Sequence, residues 1–595
     1  MATIQAATDE KIFRIKKWLG LNESPDGDTG LLMGEASVMR NFRITREGHL
    51  QLRAGYAVKH ALGEGEVRCL WSGYVQGENV FLAVCGGHLW RIDEEEPEDC
   101  GEVNDGHAFI FGFDRKAYIL AGGEYYAWDG KSLSMVEGYV PLTVVACPPE
   151  GGGTTLEPIN SLTTKRKQRF SPDGTETVFH LAETGIASVI GIERSDGGEV
   201  PEWTADVEAG TVTFTSAPAA GTDCMTVIYD VGGEGHRATV CDMKFAELYG
   251  GASDNRVFLY GDGTHNAIYS DLDEDGNPSA EYFPTVNVLG AGNANTPITG
   301  MLRHFSRLIV FKTDGAFSAS SSTVTLADGN TVVSFYLTPV QRDTGNDAPG
   351  QVRLVYNNPR SVSGTAVYEW KSSGGYMASL DERVVKRLSQ RVEATLQKWD
   401  LSKTVTFDDN HNMEWYLFHD GEALVNNYEN DTWYFYDNLP VACMERHGGE
   451  LYFGTPGGQV MRFSHEYRND NGAELDAYWE SGAMDFDAGW KLKYLSDVWI
   501  GIEPEANGRV TASIRTDMKN GYQEKTIASG LASLANMNFA HFSFNTNREP
   551  KTRRMKVKAK KFTFATLIFF SRSTASTATI LETDMKIRYT GNVKK

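Results

Sequence analysis

The chain has few cysteines and no pattern among them. Its seven, Cys69, Cys85, Cys100, Cys147, Cys224, Cys241 and Cys443, are odd in number, scattered, and without a C-x-x-C pair. That argues against a disulfide framework or a zinc site and for reduced thiols. Nowhere do eighteen apolar residues follow one another, and the opening MATIQAATDEKIF holds no apolar stretch of the signal-peptide kind. The sequence therefore predicts neither a membrane span nor a secretory leader. Positive charge is scarce: 57 Lys and Arg stand against 79 Asp and Glu, a net charge of −22, which argues against a free-standing nucleic-acid binder. No G-x-S-x-G, H-E-x-x-H or G-x-x-x-x-G-K-[ST] is present.

What is abundant is glycine, 61 residues in 595, with aromatic and β-branched runs between. Residues 413–463 hold successive runs of four to seven apolar residues, closed by Asp420-Gly421, Gly448-Gly449 and Gly457-Gly458. They read as consecutive hairpins. The plan recurs at 80–92 (VFLAVCGGHLWRI), 117–128 (AYILAGGEYYAW), 451–463 (LYFGTPGGQVMRF) and 307–317 (RLIVFKTDGAF). So many hairpins need a closed or stacked architecture to bury their faces, and starts about 35–45 residues apart match four-stranded propeller blades. The aromatics Trp71, Trp90, Tyr125, Tyr126 and Trp128 fall at one place in each hairpin, which favours packing between blades over a sugar-stacking surface.

Residues 1–60 do not read as a blade. A polar arm, 20–34, precedes G-E-A-x-x-M-x-N at 34–41 and G-x-L-x-x-R-x-G-Y at 48–56. Between 140 and 233 a linker, PPEGGG, leads into alternating runs ending in GTVTFTSAPAAG at 210–221, a small inserted β-sandwich. Val384, Val385, Leu388, Val392 and Leu396 recur at helical spacing and predict a helix over 379–399. After 463 the blade pattern stops, and YWESG at 478–482 opens a C-terminal β domain. The organisation predicted is all-β: a platform segment and arm at 1–60, first blades at 61–139, an inserted sandwich at 140–233, remaining blades at 234–466 with one helix, and a β platform at 467–595.

The arm, the two N-terminal motifs and the order W-x-S-G, K, L, V-x-I of the C-terminal part resemble the tail nozzle, or packaged-DNA stabilisation, proteins of short-tailed bacteriophages. The resemblance is close over the N-terminal motifs and extends to the rest in domain order. It implies a β-propeller on a platform built from both chain ends, and a structural protein of the virion tail made in the bacterial cytoplasm. It further implies a homohexamer forming the distal tube, contacts with adaptor or portal-proximal rings and with tail fibres or spikes, and double-stranded DNA passing through the bore without sequence recognition. A carbohydrate-binding or carbohydrate-cleaving propeller at a tail tip or cell surface is the alternative.

Three further sets of residues are candidates for chemistry. Asp271, Asp273 and Asp275 stand at the D-x-D-x-D-G spacing of a calcium loop, but the twelfth position is Tyr282 and Glu281 falls one residue early, so a solvated acidic turn competes with calcium, and no other cofactor is expected. Arg554, Lys556, Lys558 and Lys560 share one face of a strand, a basic row for docking or for DNA phosphates. Asp408, Asp409, His411, Glu414 and His419 cluster, yet a glycosidase needs two carboxylates about 5–10 Å apart, and Asp-Asp-Asn-His reads as a hairpin turn. The sequence predicts no enzyme.

Overall fold

The computed structural model describes residues 10–24, 31–233, 235–251, 255–325, 331–372, 383–522, 524–530 and 549–593. The described residues are nearly all β, in two compact units: Met1–Val67 with Arg353–Lys371 and Val384–Lys595, and Arg68–Val352 with Ser372–Arg383. The fold is a β-propeller with a platform made from both chain ends and an inserted β-sandwich, as the sequence predicts. Seven four-stranded antiparallel sheets follow the blade plan. The hairpins read from sequence are all present, as Glu78–Cys85 with His88–Arg91, Lys116–Ala121 with Glu124–Trp128, Arg307–Lys312 with Gly315–Thr325, and Glu450–Gly454 with Gln459–Ser464.

In the first unit the platform consists of two six-stranded sheets. One runs Phe42–Ile44, Leu50–Leu52, Thr579–Asn592, Lys491–Ile502, Lys551–Phe562, with Glu10–Ile15 also paired to Thr579–Asn592. The other runs Gly20–Leu21, Glu35–Arg40, Leu475–Ser481, Ala565–Ser573, Arg509–Thr516, Lys525–Ala528. Alternation along Thr579–Asn592 buries Met585 and Ile587, which join Trp18, Val498, Trp479 and Phe569 in one core. Trp18 packs edge-on against Trp479, ring centres 4.9 Å apart.

This unit also holds most of the blade at 353–387, of which Ser372 and Arg383 fall in the other unit, and the blades at 405–436 and 443–464. The last is completed by a strand from the other end of the chain, Gly55–Ala61, antiparallel to Gln459–Ser464.

The N-terminal motifs lie where this strand leaves the platform. Gly34 has φ +105°, and a β-carbon there would stand 2.4 Å from the Lys17 carbonyl oxygen. One at Gly55 would stand 2.2 Å from the Asn469 carbonyl oxygen. Both positions therefore need glycine. Glu35, buried, accepts hydrogen bonds from the Asn22 side chain and the Leu32 amide. Asn41 donates to the Asp476 carbonyl oxygen, 2.8 Å. Arg53 is wholly buried and donates to both carboxylate oxygens of Asp470, at 2.8 and 2.6 Å, and to the Asn41 side chain and the Asp437 carbonyl. A buried charge pair this fully satisfied is costly to break from either side.

The second unit carries the blades at 67–102, 108–135, 245–290 and 298–341. Trp71 and Trp90 are half-buried there, while Tyr125, Tyr126 and Trp128 are buried, Tyr125 stacked on Tyr118 at 5.6 Å. The inserted sandwich pairs a five-stranded sheet, Thr154–Thr155, Leu142–Cys147, Lys165–Phe170, Met225–Asp230, Ser188–Arg194, with a three-stranded one, Val178–His180, Thr211–Phe214, Trp203–Asp206. Phe179 sits between Phe170 and Phe214, at 5.4 and 5.2 Å.

The predicted helix is corrected. Arg383–Arg387 is a strand on the outside of its blade, and only short turns, Gln390–Val392 and Glu393–Leu396, are helical. Adjacent β-branched Val384 and Val385 suit a strand; residues 379–382 lie outside the described residues. Of the polar arm, 25–30 also lie outside. Its described start docks on these turns, Glu23 accepting from the Thr395 amide at 3.0 Å and hydroxyl at 2.7 Å. No disulfide joins any of the seven cysteines, and among the described residues no helix is long and apolar enough to cross a membrane.

Candidate functional site

The Asp408–His419 cluster builds a site in the first unit. Val405–Asp409 and Glu414–His419 form a hairpin whose turn is closed by Met413 at φ +56°. Asp409 caps that turn, accepting from the His411 amide at 3.2 Å and the Asn412 side chain at 2.7 Å, and pairs with Arg446 at 2.6 Å. The run is a hairpin turn, as its composition predicts.

Glu414, directly across from Asp409, is buried and accepts from Tyr416 and Tyr434 hydroxyls at 2.7 and 2.9 Å. Its other partner is Arg43, 3.1 Å away, from the platform strand Phe42–Ile44. Phe42 and Ile44 point into the core, so Arg43 points the opposite way, toward the blade. Burial, then the Glu414 carboxylate, lift the Tyr416 and Tyr434 hydroxyls well above 10, so both remain neutral donors.

Arg43 and Arg446 border a cavity of about 210 Å³, with His411, Tyr436 and His465 also on its wall. His465 Nε2 lies 2.7 Å from Arg43 Nη1. Burial, with Arg43 and Arg468, pushes the imidazole down to about 4, so it is neutral and accepts from the guanidinium. The Nε atoms of Arg43 and Arg446 are buried without a hydrogen-bond partner. Their other guanidinium nitrogens bond His465, Glu414, Asp409 and the Gly449 carbonyl, so the cavity wall is polar with its charge already balanced.

Two carboxyls on these strands, alternating with Asp409 and Arg446 and so turned to the face away from the cavity, have raised pKa values. Asp408 is pushed up to about 6 by burial, against Arg360 and a hydrogen bond with Tyr428. Glu445, on the first strand of the neighbouring blade, Cys443–His447, is pushed up to about 7 by burial, against the Arg446 amide and Arg353. Near neutral pH such groups exchange protons readily. Glu445 escaped the sequence reading. Its only signal is alternation, with Met444 buried and Glu445 turned the other way.

The other predicted site residues lie apart from this one. In the second unit, Asp271 faces Arg256 at 3.0 Å, Asp273 caps the amides of Asp275 and Asn277 at 3.0 and 2.8 Å, and Asp275 is exposed. Among the described residues no group of three or more His, Cys, Asp or Glu is arranged to hold a metal ion.

Arg554, Lys556, Lys558 and Lys560 are all exposed on Lys551–Phe562, the edge strand of its sheet. Met555 and Ala559 are buried and Val557 half-buried between them, the alternation predicted, but the backbone is not regular. Lys558 and Lys561 have φ +57° and +55°, and the register against Lys491–Ile502 shifts at both. Two bulges therefore bend the edge.

No protein-family model matches the chain, and no curated protein matches its sequence. Among solved structures it is similar in fold to a glycoside hydrolase family 43 arabinoxylan arabinofuranohydrolase from Bacillus subtilis, at 8% identity over 58% of this chain and 78% of that one, TM-score 0.15. It is also similar to an exo-beta-1,3-galactanase from Phanerochaete chrysosporium, at 9% identity over 82% and 96%, TM-score 0.15. A third is the extracellular domain of a one component system from B. thetaiotaomicron, at 9% identity over 98% of both chains, TM-score 0.20. With two glycoside hydrolases among these, the prediction that the chain is no enzyme is withdrawn. The likeness is one of fold and transfers no activity.

Proposed function

We propose that this chain is a structural protein of a short-tailed phage particle, the tail nozzle. In this reading six copies form the distal tube, meet adaptor or portal-proximal rings and tail fibres or spikes, retain the packaged DNA, and open as its conduit at infection. The observation that carries the reading is the platform. The N-terminal motifs behind the resemblance hold residues that join both chain ends to a blade, Asn41, Arg53 and Gly55. Fold alone does not define function, so the test is direct. Cryo-electron microscopy of DNA-filled particles is expected to show a sixfold ring of this chain on the tail axis; its absence from the axis would sink the reading.

A carbohydrate-binding or carbohydrate-cleaving propeller is the second reading, favoured by the polar cavity bordered by Arg43, His411, Arg446 and His465. It requires retention on immobilised bacterial glycans that falls at least about tenfold in Arg446→Ala. Release of reducing sugar lost in Asp408→Asn or Glu445→Gln would make it a hydrolase. Wild-type protein that neither binds nor cleaves glycans removes this reading.

A further inference from the structure

Among the described residues, two strands of opposite charge stand at sheet edges. The basic one is Lys551–Phe562. At its start, Lys525 donates to the Arg554 carbonyl and Arg553 to the Ala528 carbonyl, and Arg554 pairs with Asp497 at 2.6 Å. Beyond that point Lys556, Lys558, Lys560 and Lys561 are exposed and form no salt bridge among the described residues.

The acidic one lies in the second unit. Glu98–Glu102 is the outer strand of the blade at 67–102, and the turn before it carries Glu94, Glu95 and Glu96. These glutamates and Glu98 are exposed, and they too form no salt bridge among the described residues.

Both edges are shaped against ordinary strand addition. The basic one carries the bulges at Lys558 and Lys561; the acidic one shifts register between Asp99 and Gly101. A bulged, charged edge resists extending a sheet by backbone hydrogen bonds. It still presents charged side chains, lysines along the one edge and a glutamate-rich turn and strand start at the other, and opposite charges set partner choice.

We propose that these two edges meet between copies, the lysine edge of one chain docking side chain to side chain on the glutamate edge of the next. The surfaces differ, so the contact is head-to-tail, the kind that propagates around a ring or along a filament. The inference rests on reading the chain as a repeating component of an assembly, and it names the surface that makes the repeat. In a chain of net charge −22, copies repel at long range, and the lysine edge gives that repulsion a local exception.

The test is a charge swap on the full chain, read by light scattering at graded concentration, with circular dichroism confirming the fold. Reversing Lys556, Lys558, Lys560 and Lys561 to Glu is expected to weaken self-association by about tenfold or more, as is reversing Glu94, Glu95, Glu96 and Glu98 to Lys. Equimolar mixing of the two variants is expected to restore association, because each then offers the charge that the other lacks. Wild-type association is expected to fall as ionic strength rises from about 0.05 M to about 0.5 M, a readout that stands even if a variant misfolds.

Assembly unaffected by either reversal and by salt overturns the inference alone. A wild-type chain that stays monomeric at low salt overturns it as well, and with no ring in particles the nozzle reading falls too. If the lysine reversal abolishes retention on duplex DNA while assembly is unchanged, the basic edge belongs to nucleic acid and the proposal is wrong.

Discussion

Glu445 illustrates how burial alone sets a residue's chemistry. Its carboxyl is raised to about 7 by desolvation, more than Arg353 and the Arg446 amide can offset. A folded pKa above the unfolded one means that the folded state holds the extra proton. Stability is therefore greatest below the unfolded value, about 4.5, and falls as pH rises toward 7. Asp408, raised to about 6, acts with the same sign. In Glu445→Gln this part of the fall disappears. The variant's thermal midpoint, relative to wild type, is expected to rise by about 2–4 °C between pH 5 and pH 8; an unchanged difference would show that Glu445 is not desolvated. Asp408 was legible in the sequence because acidic neighbours flag it. Glu445 was not, because its surroundings include residues far along the chain, such as Arg353.

Single elements were legible where local chemistry decides them. The glycine pairs and Asp-Gly turns fixed the hairpins, since few other residues take those backbone angles. The helix at 379–399 failed because apolar spacing of three and four also fits a strand followed by a tight turn, and Val384-Val385 lies on the strand side. The basic strand was placed correctly, but bulges at Lys558 and Lys561 cannot be read from alternation. Gly55, in the strand that completes the last blade, has no positive φ, so its need for glycine comes from the Asn469 backbone alone. Gly55→Ala is expected to cost about 1–3 kcal/mol, read as a lower denaturant midpoint with an unchanged slope. Wild-type stability would mean that this backbone yields.

At the scale of the whole molecule, the propeller was legible from repetition, whereas the platform was legible only through the resemblance, because pairing between the two ends leaves no local pattern. Thr579–Asn592 contacts Glu10–Ile15, Leu50–Leu52 and Lys491–Ile502. Removing residues 579–595 strips a central strand from its sheet. Trypsin is then expected to cleave faster at Arg14, which the intact chain holds in a paired strand against Asp584; an equal rate would mean that the N-terminal strand holds without its partner. Arg14 grips Asp584 with two hydrogen bonds, at 2.5 and 2.9 Å, across 570 residues of chain. At a synthesis rate of about 5–20 residues per second, that first strand leaves the ribosome about half a minute to two minutes before its partner exists. Its charged, alternating surface, with Lys11, Arg14, Lys16 and Lys17, must stay soluble through that wait. This sheet therefore cannot close before Thr579–Asn592 is translated.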